Sequence, residues 1–221
     1  MLVESIERDP DLDGIVRLGI VELDGTGRAD EAALAEIIAT AVERIRARLA
    51  GRTAGQIPRL AAARQLYRAF GLDPTRLRPS PEAMIRRLLK GQEFPHVHPA
   101  VDLGNLWAIE SGLPIGLYDK GKIVGEHVLL RRGLPGESYA GIRKPEIHLE
   151  GRPVLADSEG PFGNPSADSL RTSVTSETRS LLYVMFAPAS VDTGALDRWA
   201  AWLRERAGAI LDAEPISAVI P

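Results

Sequence analysis

The chain of 221 residues has no cysteine, and it has no apolar run long enough to cross a membrane. The first absence excludes disulfides, thiolate nucleophiles and thiolate metal sites. The second excludes a membrane span, which needs roughly 20 apolar residues. Five acidic residues follow Met1 closely without an apolar stretch between them, so no secretory signal is visible. We therefore expect a cytoplasmic protein without a membrane partner.

Several motifs of common enzymes are also missing. No Walker-type phosphate loop, no G-x-G-x-x-G after a strand and no G-x-S-x-G elbow occurs. These absences disfavour nucleotide hydrolysis and serine-esterase chemistry. His96 and His98 form an H-x-H pair, but no further ligand stands nearby at helical spacing. We therefore predict ordinary loop or core histidines, no metal site and no cofactor.

Positive charge is concentrated in one stretch of a chain whose net charge is −3. Residues 59–91 contain eight basic and only two acidic side chains, a net charge of +6. A local excess of this kind can attract phosphate even in an acidic protein, because more distant charges are screened. The alternative is the solvated face of a helix.

Helical patterns dominate the first half of the chain. After a strand predicted over residues 15–23, Asp30 begins a helix with an apolar stripe of helical period. A second helix is predicted over residues 58–70. A third begins at Ser80-Pro81-Glu82, with Ser80 as its N-cap.

Short strands and turns dominate the second half. Strands are predicted over residues 126–130, 146–149, 154–156 and 181–186, and 160–163 is predicted to be a turn. An amphipathic helix follows at 193–211. This order predicts an α+β fold, a mixed β core flanked by helices, in one domain over residues 1–221. Its parts are a strand and helix (1–56), a core (57–190) and a C-terminal helix (191–221). Two arrangements of residues 1–56 are compatible with the sequence: they belong to the same core, or they form a lid over it.

A cluster of hydrogen-bonding side chains precedes the last predicted strand. It contains Asp168, Ser169, Arg171, Thr172, Ser173, Thr175, Ser176 and Thr178. Such a cluster predicts a polar pocket, and its alternative is a surface loop capped by its own hydroxyls.

Five segments, in order, carry a family resemblance. They are LDPTRLRPSPEAMIRRLL, VDLGNLWAIESGLPIGLYD, LLRRGLPGES, VLADSEG and RTSVTSET, which lie within residues 58–188. Together they resemble the tRNA-editing (B-three/B-four) domain of the bacterial phenylalanyl-tRNA synthetase β subunit, and more closely the free-standing proteins that consist of that domain. The resemblance implies hydrolysis of an amino acid wrongly esterified to tRNA, as a second sieve after synthesis.

The resemblance also implies where the site lies and where it differs. The synthetase pattern has a histidine after its Gly-x-Pro turn, where this chain has Gly116, and a glutamate where this chain has Leu170 or Asp168. Tyrosine specificity is therefore not carried over. The residues expected to line the amino-acid or terminal-ribose site are Asn105, Gly116, Asp168, Ser169, Arg171, Thr172 and Thr175. Backbone amides at Gly112, Gly116 and residues 160–163 are candidate oxyanion donors.

These observations predict a trans-acting deacylase of mischarged tRNA, with the tRNA acceptor end and its esterified amino acid as partners. Arg64, Arg68, Arg76 and Arg78 are expected to contact the tRNA phosphates. Arg64 and Arg68, which flank Tyr67, also fit an ordinary helix surface. Two alternatives remain: a binding module that kept the fold without the reaction, and a small-molecule enzyme that reuses the pocket.

Overall fold

The computed structural model describes residues 5–143 and 145–220. Its α-helices within this range are α1 (Glu31–Leu49), α2 (Ala61–Ala69), α3 (Ser80–Leu89), α4 (Pro99–Ser111) and α5 (Thr193–Leu211). Its strands are β1 (Ile6–Arg8), β2 (Val16–Asp24), β3 (Ile115–Asp119), β4 (Val128–Arg132), β5 (Ser138–Tyr139), β6 (Ile147–His148), β7 (Pro153–Asp157), β8 (Gly160–Gly163), β9 (Leu181–Pro188) and β10 (Glu214–Ile220). None of the helices in these two ranges combines the length and apolar character needed to cross a bilayer.

The strands form two four-stranded sheets and a small ribbon. The first sheet has the order β10-β2-β9-β3, and all its neighbours are antiparallel. The second has the order β1-β4-β7-β8, in which β1 and β4 run parallel. Strands β5 and β6 pair only with each other. The predicted α+β fold with a mixed β core is therefore confirmed.

Strand β9 is the centre of the molecule, because every one of its residues is buried. Tyr183 and Met185 face the helical core with α1, α3, α4 and α5, whereas Leu182, Val184 and Phe186 face the core between the sheets. This alternation follows from the two-residue period of a strand. Strand β2 lies between β9 and β10, so this part of residues 1–56 belongs to the core and not to a lid.

The helix boundaries agree with the capping signals, with one exception. The Asp30 side chain accepts a hydrogen bond from Ala33 N at 3.0 Å and begins α1. Helix α5 occupies the predicted 193–211, with Asp192 as its N-cap. The prediction of Ser80 as the N-cap of α3 is wrong: Pro79 holds that position without a side-chain cap, and Ser80 is already helical. Pro81 therefore stands in the first turn, where its missing N–H costs nothing.

Two strand predictions need correction. Residues 160–163 were predicted to be a turn, but they form β8, and the hairpin turn lies just before Gly160. Glycine and proline are tolerated here because β8 is an edge strand that needs partners on one side only. The strand predicted over 126–130 is Val128–Arg132, since Glu126 and His127 are exposed and unpaired with the sheet.

Candidate active site

A cavity of about 540 Å³ opens between α4, β3 and the polar segment 166–174. Its walls are largely apolar, and they are formed by Val97, Val101, Ala108, Ile115, Leu117, Ile142, Ile147 and Val174. Polar groups enter it from Ser80, Arg87, Asn105, Arg143, Ser166, Asp168 and Ser173. A cavity of this size with few polar groups is typical of a small-molecule site.

Asp168 is the carboxylate of this cavity. Its Oδ2 accepts a hydrogen bond from Leu117 N at 3.4 Å, and its Oδ1 is buried and has no hydrogen-bond partner within residues 5–143 and 145–220. Burial raises the pKa of Asp168 to about 7, an effect that the neighbouring Tyr118 hydroxyl and the Leu117 amide oppose. A carboxylate that titrates near neutrality can exchange a proton with a bound substrate or water.

The segment that carries Asp168 is held by a buried hydrogen-bond network. Asn164 Oδ1 accepts from Ser166 N at 2.7 Å and Ala167 N at 3.1 Å. Asn164 Nδ2 donates to the Tyr139 hydroxyl at 2.7 Å, and that hydroxyl donates to Ala167 O. These bonds fix the backbone immediately before Asp168 and so fix the direction of its carboxylate.

Tyr118 fills the space behind Asp168. Its ring meets Phe162 edge-on at 5.0 Å between centroids, and its buried hydroxyl lies near the Asp168 carboxyl without reaching hydrogen-bond geometry to any described residue. A Cβ at Gly116 would lie 2.0 Å from this hydroxyl, and a Cβ at Gly163 would lie 2.2 Å from it. Position 116 therefore excludes any side chain while Tyr118 is present, which explains the glycine where the related pattern has histidine.

Asn105 lies on the cavity wall formed by α4. It is half-buried, and no hydrogen bond to its side chain occurs within the described ranges. Its neighbour Gly104 allows α4 to approach β9, because a Cβ there would lie 3.2 Å from the Tyr183 ring. The Tyr183 hydroxyl donates to Ala100 O at 2.8 Å and secures this packing. Asn105 is thus a free amide on a rigid helix.

Most of the polar segment 168–178 points away from the cavity. Thr172 is fully buried and bonds weakly to Phe162 O, and Ser169 Oγ accepts from Arg171 N at 3.0 Å. Thr175 is exposed, and its N–H donates to Thr178 Oγ1. Only Asp168 and Ser173 of the eight polar side chains line the cavity. The alternative of a loop capped by its own hydroxyls therefore describes most of this segment.

Arg171 is likewise outside the cavity lining. Its guanidinium forms two hydrogen bonds with the fully buried carboxylate of Asp157. It also donates to Lys122 O at 3.2 Å and lies 5.9 Å from the centre of the Phe162 ring. These contacts give Arg171 a structural position between the segment and β7.

The four arginines predicted to contact tRNA differ in their surroundings. Arg64 forms two hydrogen bonds, of 2.7 and 2.8 Å, with the buried Glu82 carboxylate. Arg78 lies 3.5 Å from the same carboxylate. Arg68 is exposed, and Arg76 is 91% exposed beside Asp73. Arg68 and Arg76 therefore keep guanidinium groups that can reach a phosphate.

The H-x-H pair has separate roles. His98 Nδ1 accepts from Ala100 N at 3.2 Å and caps α4. His96 Nδ1 lies 3.2 Å from the buried Asp102 carboxylate, which also accepts from Val97 N. Within residues 5–143 and 145–220, no group of three or more potential ligand side chains is arranged for a metal ion.

The candidate backbone donors lie at one helix end and in two strands. Gly112 N donates to Ala108 O and ends α4 in a left-handed conformation, with a φ of 78°. Gly116 pairs with Val184 across the sheet. Residues 160–163 belong to β8.

Sequence reasoning missed the apolar walls and the cations of the cavity. Ile115 and Leu117 alternate with Gly116 and Tyr118 in β3, a two-residue period that could have indicated the cavity-facing side. Arg87 and Arg143 gave no such signal, because they reach the cavity only through the tertiary fold.

Part of the chain matches a known protein family, and its fold is similar to a solved structure. A family model described as the B3/4 domain matches residues 62–196. A comparison with curated protein sequences finds no match. The fold is similar to a crystal structure of an N-terminal fragment of the phenylalanyl-tRNA synthetase β-subunit from Pyrococcus horikoshii, with a TM-score of 0.49 and 16% identity. That alignment covers 98% of this chain and 54% of the other, so this chain spans about half the length of that fragment. Because the family model matches more than half of the 221 residues, the chain belongs to the B3/4 domain family.

Proposed function

We propose that this protein hydrolyses the ester bond of a mischarged aminoacyl-tRNA in trans. The observation that carries the proposal is Asp168, which lines a largely apolar cavity and whose buried Oδ1 has no partner among the described residues. The B3/4 domain family to which the chain belongs supports a tRNA-related role. The acceptor end of the tRNA and the esterified amino acid are the proposed partners.

The proposed reaction is direct attack of water on the ester carbonyl. Asp168 accepts a proton from the water as the oxygen attacks, and a tetrahedral intermediate forms. Its collapse breaks the bond to the ribose oxygen, which leaves as a hydroxyl after taking up the proton held by Asp168, and the free amino acid is released. A base whose pKa lies near the working pH is well suited to this step, and such catalysis contributes roughly 10²- to 10⁴-fold.

The remaining cavity residues supply binding. Asn105 is proposed to donate to the ester carbonyl or the terminal ribose, because its amide is free and fixed on α4. Ile115, Leu117 and Val174 form an apolar surface for the amino-acid side chain. Arg87 and Arg143, which line the cavity, are proposed to contact the terminal phosphate, and Arg68 and Arg76 are proposed to contact phosphates farther along the tRNA.

The competing function is a binding module without the reaction. It is favoured by Gly116, where Tyr118 leaves no room for a catalytic side chain, and by the self-bonded polar segment. Such a module would bind an aminoacyl group at Asp168 and Asn105 without hydrolysis.

A panel of correctly and wrongly charged tRNAs tests the proposal. The wild-type protein should release one or a few amino acids selectively, and Asp168→Asn should slow release by at least about 10²-fold. Asn105→Ala should also slow it, whereas the exposed Glu36→Gln should not. Absence of deacylation across the panel, with tight binding of an aminoacyl-adenosine analogue, would replace the hydrolase with the binding module. Equal hydrolysis of esters with and without tRNA would indicate a small-molecule enzyme.

A further inference from the structure

A second cavity of about 730 Å³, here named the basic cleft, lies between the C-terminal ends of α1 and α3. Its lining residues are Arg46, Leu49, Ala50, Gly51, Arg52, Thr53, Arg86, Leu88, Leu89, Lys90 and Gly91. Four of them are cations, and no carboxylate belongs to this lining. The cleft takes no part in the chemistry proposed above.

Arg46 of the basic cleft is held in place by backbone carbonyls, which do not neutralise its charge. Arg46 donates from Nε to Leu88 O at 3.2 Å and from Nη2 to Gln92 O at 3.1 Å. These carbonyls fix its guanidinium but carry no net charge. Arg52 and Lys90 have no ion pair in the part of the chain that the structure describes, and both are exposed.

Arg86 lies near the carboxylate of Glu82, which also contacts Arg64. Arg86 Nη1 lies 3.9 Å from Glu82 Oε1, which is beyond hydrogen-bond distance. Both oxygens of Glu82 already bind Arg64 at 2.7 and 2.8 Å. Most of the charge of Arg86 is therefore left for the basic cleft.

The helix dipoles do not account for this concentration of charge. A helix C-terminus is equivalent to about half a negative charge, so the ends of α1 and α3 supply about −1 together. The four cations together with this negative charge leave a net charge of about +3 in the basic cleft. An excess of this size at an open concave surface is suited to a ligand with several negative charges.

The basic cleft and the cavity of Asp168 share the last turn of α3. Arg86 lines the first and Arg87, the next residue, lines the second. Adjacent residues on a helix diverge by about 100°, so this turn presents one cation to each site. An extended anion can therefore contact both sites along the end of α3.

We propose that the basic cleft binds the phosphate backbone of the RNA whose acylated end enters the cavity of Asp168. The choice of RNA over other polyanions rests on the proposed function. The basic cleft would position the substrate without reading its sequence, as phosphate contacts do.

Binding of unfractionated deacylated tRNA, measured by fluorescence anisotropy over a range of salt concentrations, tests the proposal. The variant R52E/K90E should bind at least about tenfold more weakly, and its plot of log affinity against log salt should be shallower by about 1.5. The matched control R198E/R204E makes the same charge change at exposed positions of α5 and should bind within about twofold of the wild type.

Two results would overturn the proposal: equal weakening by R198E/R204E, or unchanged binding by R52E/K90E. Equal affinity for a DNA duplex of matched length would overturn the choice of RNA. If R52E/K90E does not fold, as judged by circular dichroism, R52Q/K90Q replaces it and should weaken binding in the same direction.

A separate assay distinguishes this inference from the proposed function. Hydrolysis of a tRNA-free aminoacyl-adenosine ester by the wild-type protein reports on the cavity of Asp168 alone. Cleft-dependent tRNA binding without ester hydrolysis would retain the basic cleft and reject the hydrolase. Ester hydrolysis together with tRNA binding that does not depend on the basic cleft would retain the hydrolase and reject the basic cleft.

Discussion

Arg171 and Asp157 meet through two hydrogen bonds of 2.9 Å each, and the Asp157 side chain is completely shielded from solvent. This pair connects the polar segment after Asp168 to the end of β7. It makes Arg171 a support of the site, in contrast to the direct contact that its position in the sequence suggested.

Substitution of Arg171 by alanine should lower stability. It leaves the buried Asp157 without its main partner, and breaking such a pair costs about 3–5 kcal/mol. Since Arg171 is partly exposed, we expect a loss of about 2–4 kcal/mol, measured by urea unfolding. Arg179→Ala, at an exposed arginine with backbone partners only, is the matched control and should cost less than about 1 kcal/mol. Unchanged stability with abolished deacylation would return Arg171 to the substrate site.

Asp168 should make the stability of the protein depend on pH in a particular window. Its pKa is raised from about 4 to about 7 by burial, so the unfolded chain loses this proton at lower pH than the folded one. The stability contributed by the protonated form is complete below pH 4 and is lost as the pH rises to 7. At pH 8, Asp168→Asn should therefore be more stable than the wild type by on the order of 2–4 kcal/mol, with little difference at pH 4.

The measurement for this prediction is urea unfolding at several pH values between 4 and 8. Asp11→Asn, at an exposed position, serves as the control and should follow the wild-type curve. Parallel curves for the wild type and Asp168→Asn would contradict the raised pKa.

Gly116 and Tyr118 should be energetically coupled. Gly116→Ala places a Cβ 2.0 Å from the Tyr118 hydroxyl and 2.6 Å from the adjoining ring carbon. We expect it to destabilise the protein by about 1–3 kcal/mol. Tyr118→Phe removes the closest atom, so the double variant should lose less than the sum of the two single variants.

A double-mutant cycle of unfolding free energies measures this coupling. Gly55→Ala, where the new Cβ would lie 3.9 Å from its nearest neighbour, controls for the loss of glycine itself. Additive effects of the substitutions at 116 and 118 would show that the backbone shifts to accommodate the new Cβ. Position 116 would then accept a larger side chain.

The helices and strands were predictable from the sequence where the segment itself contains a local signal such as a capping residue. Asp30 and Asp192 mark the beginnings of α1 and α5 because a carboxylate caps a helix through local bonds. Strand β1 was missed because it has three residues, which are ordered only by parallel pairing with β4. Strand β10 was missed because it forms the edge of the sheet and is only partly buried.

The location of the site was predictable in part. Asn105 and Asp168 were named from the sequence, and both line the same cavity. The sequence could not separate them from Ser169, Thr172 and Thr175, because a hydroxyl in a loop can bond its own backbone as readily as a ligand. The orientation of Asp168 depends on Tyr139 and Asn164, and such distant partners leave no local pattern.

Strand β2 is synthesised long before the strands that pair with it. It pairs with β9 and β10, whose residues leave the ribosome about 160 to 200 positions later, or on the order of ten to forty seconds at typical rates of synthesis. During this interval a nearly continuous apolar strand has neither edge paired. Sheets closed by such distant segments also fold slowly. Until β9 is available, β2 can be covered by α1, which follows it in the chain and packs into the same apolar core as Val21 and Leu23.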